Sequence, residues 1–329
     1  MLEKHFPRLW SLDAGQVMVV TDLHGDGDAY RRCRDRFVDL QAAGRADYLV
    51  LTGDLIHRSD GGPDESLEMV LDVLALQAEY GEAVIYLCGN HELPHIYGID
   101  LARGDESFTP VFETALTRSG RRDEVAALFE SLPFYLRTRA GVSLAHAGAP
   151  AEAAAPGSAR RLFLWNHREL LDWAEDIIGS QENAALMRRR LFDHHYDTLA
   201  RRYLGVSGPE DTRYNHLLRG VLASQHPDFA GLLWPALFTR CEEEYGAEDY
   251  AIFVHALLAE LSEGYWRQEL LVSGHLTTRG GWQKVGRQLR LSSAAHARPR
   301  HRGSYLLFDA ARPVKNIDAL ATGIQRVFD

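Results

Sequence analysis

The chain has 329 residues, of which 46% are hydrophobic and 25% charged, the balance of a globular protein able to bury a sizeable core. Its formal net charge of −10 argues against a non-specific grip on nucleic-acid backbone, but leaves room for a small phosphate site where bound metal dominates the local charge. Three scattered cysteines, Cys33, Cys88 and Cys241, form no CxxC pair and exclude a zinc ribbon or a disulfide framework.

In chain order, Val17–Thr21 is a short apolar run that predicts a buried strand, followed at once by the polar DLHGDGD. A helix is expected over Asp28–Leu40, from Tyr30, Cys33, Phe37 and Leu40, then a strand over Tyr48–Leu51 ending in TGD. Asp64–Tyr80 is a second helix with Pro63 before its start, and Ala83–Leu87 a third strand followed by CGNHE. This β-α-β-α-β order favours a parallel sheet with helices on its faces. Val142–Ala145 is a later strand that runs into His146, and Gly148–Ser158 reads as a loop. Residues 160–265 are mostly helical, as a cap or an insertion within one domain spanning 1–329. Leu270–Val272 returns to strand before SGH. Trp282–Val285, Gln288–Leu291 and Ser304–Phe308 are expected as antiparallel strands. MLEKHFPRLW lacks the apolar core of a signal peptide, and no run approaches the ~18 apolar residues of a membrane span. A cytoplasmic protein that engages neither nucleic acid nor membrane is expected; no pattern fixes its oligomeric state.

Five apolar runs end on residues able to bind a metal: Asp22 with His24, Asp54, Asn90 with His91, His146, and His275. In α/β sheets, ligand sites gather at the carboxyl ends of strands, so residues distant in sequence would meet at one edge. Each alone reads as an ordinary turn or cap residue; five successive occurrences do not. Carboxylate with imidazole suits manganese, iron, zinc or cobalt better than calcium. One carboxylate, Asp54, is placed to bridge two ions and let the pair activate water.

The segments TDLHG, GDLIHR, GNHE, LAHAG and SGH resemble, in order, the signature blocks of calcineurin-like metallophosphoesterases, and most of all the phosphoprotein phosphatases. That family includes serine/threonine phosphatases and diadenosine tetraphosphate hydrolases. The resemblance implies an α/β fold of β-sheets sandwiched by helices, with a mostly helical insertion, and two divalent transition-metal ions. Manganese is the first choice, with iron, zinc, cobalt and nickel as alternatives. Asp22 and His24 would complete one metal site with Asp54; Asn90, His146 and His275 would complete the other. His91 would be the general acid, and Arg58 would clamp the phosphate. A second arginine is carried to Arg240, downstream of Leu232–Trp234, with Arg168 of WNHR as the rival placement.

Three departures stand out. Thr21 takes the place of a glycine. Ala297 replaces a tyrosine that lines the family's site, a space that His296 could fill as a substrate contact. His57 stands where the family has an aspartate that pairs with the histidine of GNHE. Either His91 has lost its carboxylate partner, or Asp60 or Asp64 supplies one. The implied activity is phosphomonoester hydrolysis by metal-bound hydroxide, on phosphoproteins or small phosphoesters. The alternatives are hydrolysis of nucleotides or dinucleoside polyphosphates, and an inactive metal-binding regulatory protein. Arg298, Arg300, His301 and Arg302 form a basic cluster, read as a solvated loop or as the seat of a second phosphate.

Overall fold

Strands Gln16–Val20, Tyr48–Leu51 and Val84–Tyr86 are short runs of branched and aromatic side chains, which suit a pleated, buried surface. In the computed structural model, which describes all residues except 104–105, 240–241 and 329, they pair in parallel, Val20 beside Leu51 and Leu51 beside Tyr86. Their register brings the residues that follow them to one edge.

Side chains alternate across these strands, as strand geometry requires. Met18, Val20, Leu49 and Leu51 face helices Gly27–Ala42 and Ser66–Tyr80, where Tyr30, Cys33, Phe37, Val70 and Val73 are buried against them. Asp26 caps the first helix by accepting from the Ala29 N–H at 3.2 Å. The second helix begins at Ser66 rather than Asp64, because the Asp64 carboxylate accepts from the Ser66 N–H at 3.1 Å and holds the preceding turn.

The opposite face is covered differently from the expectation. Val17, Val19, Val50 and Ile85 pack not on helices but on a second sheet, against Leu136, Val142, Leu144, Val272, Leu289 and Leu291. Among the described residues the first sheet has five strands and the second seven. The layers therefore run helix, sheet, sheet, helix: one apolar core lies between the sheets, and the outer face of the second sheet, with Leu9, Tyr135, Ala145 and Leu271, is buried with Phe163, Tyr250 and Leu257 of the mostly helical 160–265 stretch. The β-α-β order alone suggests a single parallel sheet, because both faces of the 16–20, 48–51 and 84–86 strands are apolar and either kind of element can cover them; the paired sheets flanked by helices are what the family resemblance implies.

Strands Val142–Ala145 and Leu270–Ser273 are parallel neighbours in the second sheet, Val142 beside Leu270 and Leu144 beside Val272. Between them the chain makes a long, mostly helical excursion that includes helices Ser158–Phe163, His167–Ile178, Gln181–Phe192 and Ala247–Ser262. Trp282–Val285 and Gln288–Leu291 are an antiparallel pair as expected. Ser304–Asp309 does not join them. It crosses to the first sheet and lies antiparallel to Gln16–Val20, with Leu306 beside Val19. Strands Leu2–Phe6, Leu9–Leu12 and Tyr135–Thr138, absent from the sequence reading, complete one side of the second sheet. No helix among the described residues is long and apolar enough to cross a membrane.

Candidate active site

The ends of both sheets converge on one group of buried donors. Asp22 and Asp54 follow neighbouring strands of the first sheet, and His146 and His275 follow neighbouring strands of the second. Asp22, His24, Asp54 and His275 all have positive φ, between 39° and 67°. That conformation costs of order 1–3 kcal/mol per residue unless the surroundings enforce it. They do: Leu23 and His24 N–H groups both donate to the Asp54 carbonyl, at 3.0 and 2.9 Å. Gly53 and Gly89 approach so closely that a Cβ on Gly53 would sit 2.6 Å from the Gly89 backbone. Behind them the buried Glu92 carboxylate accepts from the N–H groups of Asp54, Leu55 and Gly89 at 2.9–3.1 Å and from Tyr86 Oη at 2.7 Å. Glu92 thus fixes two donor loops at once, a role that no local pattern announced.

Each aspartate has one oxygen tied and one turned inward. Asp54 Oδ1 accepts from His91 N–H at 3.0 Å, and Asp22 Oδ1 from His275 N–H at 2.8 Å. Asp54 Oδ2 faces His24 Nε2 and His146 Nε2, each at 3.5 Å, while the buried Asp22 Oδ2 has no hydrogen-bond partner. His146 Nδ1 lies 2.9 Å from the Thr52 carbonyl and His24 Nδ1 lies 3.1 Å from that of Ile56. A carbonyl only accepts, so both rings carry their proton on Nδ1 and point a bare Nε2 at the cluster. His146 Nε2 is also 2.9 Å from Asn90 Oδ1 and 3.2 Å from His275 Nδ1.

Lone pairs that face one another in a buried space need a cation between them. Protonation says the same. Burial raises the Asp22 carboxyl to about 8 and the Asp54 carboxyl well above the usual range; burial lowers His24 to about 4 and His146 to about 3. The imidazoles are thus neutral and ready to coordinate, and a bound cation would restore the carboxylates to their charged form. Three groups have donor atoms close enough to share an ion, Asp22–His24–His296, His24–Asp54–His91 and Asp54–His146–His275, and they overlap at His24 and Asp54. The residues present fit a dinuclear centre.

His296 is nearer to this cluster than a substrate contact need be: its Nε2 lies 3.2 Å from His24 Nε2 and 3.8 Å from Asp22 Oδ1. Its loop is fastened by Thr21, whose N–H donates to Ser293 Oγ at 2.9 Å and whose hydroxyl donates to the Leu291 carbonyl at 3.0 Å. Thr21, where glycine was the family's choice, therefore joins the two sheets.

A cavity of ≈ 630 Å³ opens above the donors, lined by Arg58, His91, Phe108, Phe238, His296 and Arg298 among others. Arg58 is turned toward acids, with Nε 2.5 Å and Nη2 3.0 Å from the Asp60 carboxylate, whose pKa the hydrogen bond holds down at about 2. Arg300 pairs with Asp26 and Asp28 at 2.6–2.9 Å, which leaves Arg298 as the more exposed member of the basic cluster at the cavity. Arg240 lies outside the described residues. Arg168, its rival, is exposed on helix His167–Ile178 and is not among the residues lining the cavity.

His91 reaches the cavity with its Nε2, 3.9 Å from Asp54 Oδ2. Neither Asp60 nor Asp64 is its partner: Asp60 is taken by Arg58, and Asp64 by Ser66. Its Nδ1 lies instead 3.0 Å from Nδ1 of His57, the residue in the aspartate's place. His57 Nε2 lies 2.8 Å from His95 Nε2, and His95 Nδ1 lies 2.7 Å from Glu113 Oε1. Neither His95 nor Glu113 was marked by its sequence surroundings. A carboxylate is present after all, two imidazoles further back.

A family profile described as calcineurin-like phosphoesterase matches residues 15–213, more than half of the chain. The chain belongs to this family. As a calcineurin-like phosphoesterase it is a hydrolase of phosphoester bonds, and the family's dinuclear divalent centre is the one its Asp and His donors fit. A protein serine/threonine phosphatase from Saccharomyces cerevisiae, with similarity to human phosphatase PP5, is 14% identical with a TM-score of 0.51. That match covers 98% of this chain and 84% of the other, and establishes a shared fold. A cold-active protein-tyrosine phosphatase of a psychrophilic Shewanella species is 17% identical with a TM-score of 0.46, over 96% and 82% of the two chains. A metallophosphoesterase from Sphaerobacter thermophilus is 22% identical with a TM-score of 0.26, over 43% and 54%. No curated protein sequence matches the chain significantly.

Proposed function

We propose that this calcineurin-like phosphoesterase hydrolyses phosphomonoesters, on phosphoproteins or small molecules, with two transition-metal ions of which manganese is the first to test. The observation that carries the reading is the meeting of bare imidazole nitrogens and inward carboxylate oxygens around Asp54 Oδ2, directly beneath a cavity that also holds an arginine and a histidine. Asp22, His24 and Asp54 would hold one ion, joined by His296. Asp54, Asn90, His146 and His275 would hold the other. When bound, the pair supplies a water of lowered pKa and positive charge for the phosphoryl oxygens.

The chain's own groups do the rest. Arg58 would swing its guanidinium from Asp60 to the phosphate, for which its planar fork is suited. His91 Nε2, open to the cavity, would give a proton to the departing alkoxide. Phe108 and Phe238 line the cavity with apolar surface against which the organic part of the ester can rest.

The test is a metal-stripped protein reloaded with each divalent ion and assayed on 4-nitrophenyl phosphate, phosphoserine and phosphotyrosine peptides, and diadenosine tetraphosphate. Metal-dependent release of phosphate from the monoesters is expected. Cleavage of diadenosine tetraphosphate alone would move the substrate class to dinucleotides, a reading that Arg298 at the cavity favours. Metal binding without turnover of any substrate would leave a regulatory protein.

A further inference from the structure

Behind the two histidines of the second sheet runs a row of neutral, buried groups. Tyr250, on helix Ala247–Ser262 of the helical excursion, is 1% exposed. Its hydroxyl donates to Gln288 Oε1 at 2.8 Å, and Gln288 Nε2 donates to Ser273 Oγ at 2.6 Å. The same Tyr250 oxygen accepts from the Ala149 N–H at 3.4 Å. Each end of the row therefore lies next to a metal donor. Ala149 comes three residues after His146, and Ser273 two residues before His275. The Gly274 N–H also donates to the His146 carbonyl at 3.0 Å, so the two donor loops are joined directly as well.

The direction of each bond follows from its groups. A backbone N–H only donates, so Tyr250 Oη accepts from Ala149 and turns its one hydrogen to Gln288. That hydrogen needs the carbonyl end of the Gln288 amide, which aims the amide nitrogen at Ser273. Ala149, Gln288 and Ser273 are all buried, so solvent does not reach a partner left unpaired. His275 keeps a positive φ of 67°, a conformation that persists only where its surroundings enforce it. Ser273, tied to Gln288, is one of those surroundings.

We infer that Tyr250 is a positioning residue for the metal site of Asp54, Asn90, His146 and His275: through Gln288 and Ser273 on one side and Ala149 on the other, it sets the spacing of the two histidines and ties the affinity of that site to the seat of the helical excursion. The inference rests on the reading of His146 and His275 as ligands of one ion. Tyr250 does not line the cavity. What it governs is the pair His146 Nε2 and His275 Nδ1, which lie 3.2 Å apart, close enough to share an ion. Groups behind a metal ligand fix its aim, and their loss typically costs about tenfold to a hundredfold in affinity. The donors of the other site hang on different anchors, His24 on the Ile56 carbonyl and the His296 loop on Thr21. Asp22 alone reaches this side, by accepting from the His275 N–H, so the other ion should feel a change at second hand. By linkage, an ion between the two histidines should in turn hold the helix that carries Tyr250.

Tyr250→Phe removes the oxygen and keeps the ring. Titration of metal-free protein with cobalt, read by visible absorbance and calorimetry, should show two ions in the wild type. In the variant one ion should bind about tenfold to a hundredfold more weakly, and the other within a few-fold of wild type. Gln288→Leu should weaken the same ion, and adding it to Tyr250→Phe should cost less than the product of the two single losses, because the row is already broken. Unchanged affinities with a lower melting temperature would make Tyr250 merely structural and overturn the inference, as would equal weakening of both ions. Hydrogen exchange of the wild-type protein gives a check that depends on no variant folding. Zinc should slow exchange at the Ala149 amide and over helix Ala247–Ser262; no difference from metal-free protein would refute the coupling. A wild-type protein that takes up no divalent ion overturns both this inference and the proposed function, whereas two ions held equally well by wild type and variant overturn this inference alone.

Discussion

The floor of the cavity and its histidine flank are built from the same materials, buried imidazoles and carboxylates, and they end in opposite conditions. On the floor, Asp54 Oδ2 faces two bare imidazole nitrogens, and Asp22 Oδ2 has no hydrogen-bond partner. On the flank every contact from His91 to Glu113 can be a donor meeting an acceptor. One region is complete only with a cation, while the other is complete as it stands. Hydrogen-bond accounting separates a place that awaits a ligand from a place that serves one, where burial and residue type do not.

The largest break in the comparison comes from Asp54. Asp54→Asn removes the charge that both metal positions share, so metal content should fall from two ions per chain and kcat/KM by on the order of a thousandfold. Elemental analysis checks it; two ions retained in the variant would dissolve the bridge.

Glu92 comes next, as the scaffold common to floor and flank. Glu92→Ala strands three buried N–H donors, at about 1–3 kcal/mol each, so a loss of at least about 3 kcal/mol is expected in denaturant unfolding. A loss below about 1 kcal/mol would mean that the loops hold themselves.

The pH dependence sharpens the contrast. Asp22, with its folded pKa raised to about 8, holds a proton that the unfolded chain has already lost, so its contribution falls as pH rises from about 4 to 8. His24 and His146, lowered to about 4 and 3, work the other way, but their effect levels off as pH passes the ordinary histidine value of 6.5. Between pH 6.5 and 8 the raised carboxyls of Asp22 and Asp54 act in the same direction, and metal-free protein should become less stable as pH rises. Metal-loaded protein should not. Parallel melting curves at the two pH values, with and without metal, check it.

The smallest effect concerns Arg58 and its restraint. Arg58→Ala should raise KM and lower kcat/KM by about tenfold to a hundredfold, and lysine should not restore them. Asp60→Asn, by contrast, should release the guanidinium and lower KM a few-fold. Steady-state kinetics on 4-nitrophenyl phosphate would show both, and a raised KM in Asp60→Asn would mean that Asp60 orients Arg58 rather than competing for it.

What could be read in advance follows from distance along the chain. Asp22, Asp54, Asn90, His146 and His275 each follow an apolar run within a few residues, so a local pattern reveals them and a shared register gathers them. That two sheets rather than one do the gathering came from the motif resemblance and not from the strand pattern, because an apolar strand face looks the same whether helix or strand covers it. The 2–6 strand escaped because its LEKHF run is charged and polar rather than apolar, and only Leu2 of it is buried. His95 and Glu113 lie on helices Leu93–Tyr97 and Thr109–Ser119, where a histidine and a glutamate are ordinary. Only packing against His57 gives them meaning. His57 was visible as a departure, yet the departure pointed to loss, where the structure shows displacement.

His146 and His275 stand side by side because strands 142–145 and 270–273 are neighbours, although the helical excursion separates them in sequence. Parallel neighbours need some crossover to join them, but beyond a dozen residues their pairing is indifferent to its length. The excursion is nonetheless bound to the sheet it covers, with Tyr250 Oη donating to Gln288 Oε1 at 2.8 Å and Arg8 Nε donating to the Trp165 carbonyl at 3.0 Å. Its exposed turns can change in length with both anchor points unmoved, whereas the helix faces that bury Tyr250, Val254 and Leu257 cannot.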